Sequence, residues 1–215
     1  MRLRRSLLCL AALIFAAEGA RAQTIIEAGL GVHRSGLSGV PAGVDYVPRE
    51  GMTVGLSMRI PVANGFGVRI GGRHRPAGGN ARTFAAEALD SDPDPSVDTE
   101  LGYLDLDALI ELSLIGGANG SVYAQAGASY GVRRTCAISA TLGDDRVPGD
   151  CDAAGVPTTD VGMLFGLGGR LLVMNGTSLG LGALYRAGLT DQDAGSDSSK
   201  SQGMSVLATI GFAIG

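Results

Sequence analysis

From Gly51 to Val62 apolar residues alternate at every step with small or polar ones: Met52, Val54, Leu56, Met58, Ile60 and Val62 against Thr53, Gly55, Ser57, Arg59 and Pro61. A period of two is that of a β-strand with one apolar face. The pattern returns in seven more segments, near 25–34, 66–73, 103–114, 122–133, 159–173, 179–190 and 206–214. No run reaches the roughly 18–20 consecutive apolar residues of a spanning helix, so only a closed barrel of strands would carry this chain across a membrane.

The connections between the segments alternate in length, which is independent information. Those after the second, fourth and sixth strands are tight turns, with Asn64-Gly65 and Asn175-Gly176 as strong hairpin signals. Those after the first, third, fifth and seventh are long and rich in Gly, Pro, Asp and Ser. Tight turns at one end and long loops at the other are the layout of bacterial outer-membrane barrels. Both termini are then expected on the periplasmic side and the four long loops outside.

Alternation alone does not say whether the apolar face meets a core or lipid, and a soluble barrel or sandwich shows the same period. The content of the other face favours lipid. It is built from Gly and Ser with Glu27, Arg59, Arg69, Arg73, Asp105, Asp107, Glu111, Arg133, Arg170 and Arg186 interspersed, and Leu109 intrudes on it in the fourth segment. A water-facing sheet favours Lys, Glu and Thr over glycine, which weakens strands. The interior of an eight-stranded barrel is just wide enough for side chains to fill it, and wants small residues with a few charges of both signs. These charges are expected to pair inside as a plug, because a buried charge without a partner costs several kcal/mol. Were Asp105, Asp107 and Glu111 to face lipid, this reading would fail.

The first residues, Met-Arg-Leu-Arg-Arg, an apolar stretch over 7–17 and then Ala20-Arg21-Ala22, have the order of a secretory signal, with cleavage expected after Ala22. This divides the chain into a leader, 1–22, and one barrel domain, 23–215. A membrane anchor is the other reading of the leader, but its apolar stretch is too short to span. Without the leader about 13 basic and 20 acidic side chains remain, a net charge of about −7, which argues against nucleic acid as a partner. Cys9 falls too early in the leader for lipid attachment. Cys136 and Cys151 are then a pair in an oxidising compartment, and a disulfide is expected. It would close a loop of about 15 residues and add about 3 kcal/mol on the chain-entropy model.

The segments Tyr103-Leu104-Asp105-Leu106, Leu184-Tyr185-Arg186-Ala187-Gly188-Leu189-Thr190 and the final strand with Ile210-Gly211-Phe212 resemble the porin-like outer-membrane β-barrel families. The likeness is in particular to the PorT-like barrel-domain group and more loosely to the OmpA/OmpX type. The resemblance implies an integral outer-membrane barrel with no cofactor and no catalytic residues.

Chemistry has few other footholds. His33 and His74 lie near strand ends on the expected outer side, where a barrel enzyme acting on surface lipid or peptide would keep its site; the plainer reading places them at a solvated rim. The acidic loop Asp90-Ser91-Asp92-Pro93-Asp94-Pro95 invites calcium, but an EF-hand needs Gly and Glu where this chain has Pro95 and Leu101. Gly166-Leu167-Gly168-Gly169 lacks the helix and Lys of a phosphate loop. The expectation is an all-β, eight-stranded antiparallel up-and-down transmembrane barrel with a filled interior, no metal and no enzymatic activity. Its expected partners are outer-membrane lipid, the barrel assembly machinery and a surface ligand or protein. A narrow channel, a barrel enzyme and a soluble binding barrel are the alternatives.

Overall fold

A computed structural model describes residues 23–40, 43–83, 96–117, 119–174, 176–191 and 199–214. The leader and the acidic loop at 90–95 lie outside the described residues. Ten strands form one antiparallel sheet: β1 (Thr24–Ser38), β2 (Val44–Pro48), β3 (Glu50–Ala63), β4 (Phe66–Thr83), β5 (Ser96–Gly117), β6 (Gly120–Leu142), β7 (Asp145–Gly149), β8 (Thr159–Met174), β9 (Thr177–Asp191) and β10 (Lys200–Ile214). Eight of them close a barrel in the order β1, β3, β4, β5, β6, β8, β9, β10. The seam joins the first strand to the last, from Thr24 opposite Ile214 to Ser38 opposite Lys200. Gly65 and Gly176 hold left-handed φ values of 77° and 81° in the tight turns, which glycine adopts without the Cβ clash of other residues.

The eight expected strands are the staves of this barrel. Several of them run well past the alternating segments. β5 starts at Ser96 rather than 103, β4 runs to Thr83, and β6 continues to Leu142, where it turns back as β7. With β2, which pairs with the end of β4, these extensions raise one side of the barrel into a crown above the ends of β8, β9 and β10.

Below the crown the wall is a belt with its apolar face outward. Leu30, Met52, Val54, Leu56, Ile70, Leu106, Ile110, Leu112, Phe165, Leu167, Leu181 and Ile210 are exposed, while Glu27, Arg73, Asp105, Glu111, Arg170 and Arg186 are buried inside. Arg59 also points inward, so the segment 51–62 lies with Met52, Val54 and Leu56 on the outer surface.

In the crown the two faces exchange character. Going up β5, the inward residues pass from Asp105 through Tyr103 and Leu101 to Val97, and the outward ones from Leu106 and Leu104 to Glu100 and Asp98. The neighbouring strands follow: Ala77 and Ala81 of β4 and Tyr46 of β2 turn inward, whereas Asn80 and Arg82 turn outward. On β6 an extra residue, Arg134, slips the pairing between Gly102 and Tyr103 and keeps Cys136 opposite Leu101 on the inner face. Outward ion pairs lace the crown, with Arg49 Nη2 2.7 Å from Glu100 and Arg146 Nη2 3.6 Å from Asp98.

Candidate functional site

The site is the upper interior and the mouth that the crown walls in, and it rests on a plug of three layers. In the lowest, Arg69 Nη2 lies 2.6 Å from Glu27 Oε2, Arg59 Nε 2.7 Å from Glu111 Oε1, and Arg170 Nη2 3.0 Å from Glu27 Oε1 and Nη1 3.2 Å from Glu111 Oε1. Arg170 and Arg69 also stack over the Tyr123 ring, 4.9 and 5.6 Å from its centroid. Above them Leu109, Leu164 and Leu184 pack with Leu207 into an apolar layer. Leu109, the intruder on a polar face, is therefore a core residue.

The upper layer is denser. Arg75 donates to Asp105 Oδ2 at 2.6 Å and to Asp160 Oδ2 at 2.9 Å. Arg186 Nη2 sits 3.0 Å from Asp160 Oδ1, and its other nitrogens donate to Ser201 at 2.6 Å and Ser129 at 3.0 Å. Arg73 Nη2 reaches Asp107 at 3.4 Å and Asp105 at 3.6 Å. Such charge-assisted bonds are the strong ones, and each buried ion here has a partner of opposite sign. Glycines supply the room. A Cβ on Gly131 would lie 2.5 Å from Asp105 Oδ1, one on Gly162 2.7 Å from the Arg186 guanidinium carbon, and one on Gly168 2.5 Å from the Tyr123 ring.

Nine of the ten residues expected inside as a network take part in these two ionic layers: Glu27, Arg59, Arg69, Arg73, Asp105, Asp107, Glu111, Arg170 and Arg186. Arg133 does not. It stands on β6 opposite Tyr103, where its guanidinium pairs with Asp152 and donates to Val156 O at 2.7 Å, because the chain after β7 folds back within its reach. Arg75 and Asp160 were missed, although each continues the two-residue series of its own strand, Arg73 to Arg75 and Gly162 back to Asp160.

The histidines do not share a site, and the rim reading is corrected for His33. It is 2% exposed, with Nδ1 2.8 Å from Ser205 Oγ inside the barrel, since position 33 continues the inward series of Glu27 and Gly29. His74 points outward between Val54 and Leu104. Among the described residues no group of three or more His, Cys, Asp or Glu side chains is placed to hold a metal ion.

The upper layer is the floor of a cavity of about 230 Å³ at the mouth. Leu37, Tyr46, Ala81, Val97, Leu101 and Val156 wall it, with Arg75, Asp160 and Ser201 below. One wall is a strap, 150–158, joined to β6 by the Cys136–Cys151 disulfide. Besides the two contacts from Arg133, the Tyr103 hydroxyl donates to Pro157 O at 3.3 Å and Arg133 N to Thr158 O at 2.8 Å. Burial pushes the Tyr46 phenol up to about 12, so it stays neutral at ordinary pH.

No protein-family model and no curated protein sequence matches the chain. Solved structures do. Neisserial surface protein A aligns over 89% of this chain and 97% of its own at 12% identity, with a TM-score of 0.50. The outer membrane protein OprG of Pseudomonas aeruginosa aligns over 91% and 98% at 14% identity, with a TM-score of 0.56. At these identities the likeness is one of fold, and the fold is that of an eight-stranded outer-membrane β-barrel.

Proposed function

We propose that this chain is an integral outer-membrane barrel that works at its crowned end, as a surface-interaction protein rather than a pore or an enzyme. The observation that carries the reading is the exchange of faces along β4 and β5. An outward apolar band of roughly ten residues per strand suits a bilayer core. An outward charged face suits water. The change from one to the other supports a membrane boundary near His74 and Leu104, with the crown beyond it. On this reading the tight turns and both termini are periplasmic, lipid covers the belt, and the assembly machinery inserts the barrel.

Support for a non-conducting barrel comes from the two ionic layers and the leucine layer between them, which fill the bore. Membership of the PorT-like group rests on the likeness of the 103–106, 184–190 and 210–212 segments and is part of the same proposal.

The test is topological. A cysteine placed by Asp145→Cys is expected to react with a membrane-impermeant maleimide on intact cells, because Cys136 and Cys151 are joined to each other and Cys9 belongs to the leader expected to be removed. Labelling only after the outer membrane is permeabilised would reverse the orientation. In planar bilayers the purified barrel is expected to give no conductance steps; regular steps would restore the channel.

A further inference from the structure

We propose that the mouth cavity is a binding site for one small, uncharged aromatic molecule carrying a single hydrogen-bonding group, of the size range of phenol to indole. This rests on the reading that the barrel works at its crowned end and names the ligand class of that end.

Size and enclosure come first. An engineered cavity of about 150 Å³ takes benzene, and this one is about 230 Å³. Its lining is drawn from β1, β2, β4, β5, the strap, β8 and β10, so it admits a small molecule more readily than a folded partner. The wall is also held in shape, since Val156 is fixed between the disulfide and the Arg133 bond to its own carbonyl. A preformed pocket spares the ligand the cost of ordering it.

Polarity then selects the chemistry. The floor carries charge, but none of it is free: Arg75 is held by Asp105 and Asp160, and Ser201 donates to Asp160 at 2.9 Å. A charged ligand would lose its hydration with no counter-ion to receive it. Gln202 is likewise engaged, accepting from Tyr185 and donating to Leu37 O. The Tyr46 hydroxyl, by contrast, has no hydrogen-bond partner among the described residues. Its ring end lies over Gly79, where a Cβ would come within 2.4 Å of the hydroxyl oxygen. A mostly apolar cavity whose unengaged side-chain hydroxyls among the described residues are those of Tyr46 and Thr99 matches a flat apolar body with one polar atom.

The experiment uses the full barrel in lipid nanodiscs, with 4-fluorophenol as the probe and its ¹⁹F line width as the readout against empty nanodiscs, which control for partition into lipid. The wild-type barrel is expected to broaden the line beyond the empty-disc value. Ala81→Phe, which fills the cavity, is expected to weaken binding at least tenfold, and Leu106→Ala on the lipid-facing side to leave it unchanged. Tyr46→Phe removes one oxygen and no volume; it is expected to weaken 4-fluorophenol severalfold and fluorobenzene hardly at all. Each variant is first shown folded by its heat-modifiable migration. Broadening no greater than in empty discs, or the same in Ala81→Phe as in wild type, would overturn the proposal. A folded barrel that labels from outside but does not bind the probe would sink this inference and leave the surface reading standing.

Discussion

In the belt, β4 and β5 turn leucine and isoleucine outward and charge inward; one or two turns of the pleat further up, the crown does the reverse. The alternation itself never breaks on β5 between Val97 and Leu114. What differs is the medium on each side: lipid outside and paired ions within for the belt, water outside and an apolar pocket within for the crown. The strand period fixes only that two faces differ, and the surroundings decide which is which.

The interior of the belt offers the largest perturbation. Asp160→Leu leaves the guanidiniums of both Arg75 and Arg186 short of a carboxylate, and is expected to cost about 3–5 kcal/mol in reversible urea unfolding in detergent. A cost under about 1 kcal/mol would mean that the upper ions are not held as a network.

The outer face follows. Ile110→Arg, in the middle of the belt, is expected to cost about 2–4 kcal/mol, whereas Asn80→Arg on the outer face of the crown stays within about 0.5 kcal/mol. Equal costs would erase the distinction between the two regions.

Replacing Cys136 and Cys151 together by serine should act on the crown alone. The barrel's heat-modifiable band is expected to persist, while trypsin cuts faster within 145–158 at Arg146. Loss of the compact band would show that crown and belt fold as one unit. Smallest of all, Asp98→Asn removes the carboxylate beside Arg146 and the more distant of the two beside Arg49 on an exposed face, where such pairs contribute about 0–1 kcal/mol.

Much of the belt was legible. The staves show the two-residue alternation, and the small inward residues mark a narrow bore. The ion network is legible wherever the series is followed far enough; Arg75 sits one step beyond the 66–73 segment, and Asp160 sits inside the 159–173 segment, one step before its first assigned inward residue, Gly162. Leu109 is visible as an intruder, but that it meets Leu164 and Leu184 in one layer depends on registers that no single strand encodes.

The crown was not legible. Val97 and Leu101 keep the period of two, yet they put apolar side chains on the inward face, so they look like the wrong phase of the belt. β2 and β7 are five residues each, too short for periodicity to speak. Arg133 looked like a belt residue because only the folded-back strap reveals its partners.

The seam between β1 and β10 bears on how such a wall comes into being. Its fifteen facing pairs join residues from 162 to 190 positions apart, so the first strand has an open edge until the last one has emerged. An open edge in hydrocarbon leaves a row of amides without partners, and contacts this distant in the chain form slowly. Closure is therefore the final event and waits on the whole polypeptide, and a truncated chain lacking 200–214 should persist as an open, aggregation-prone sheet rather than a smaller barrel.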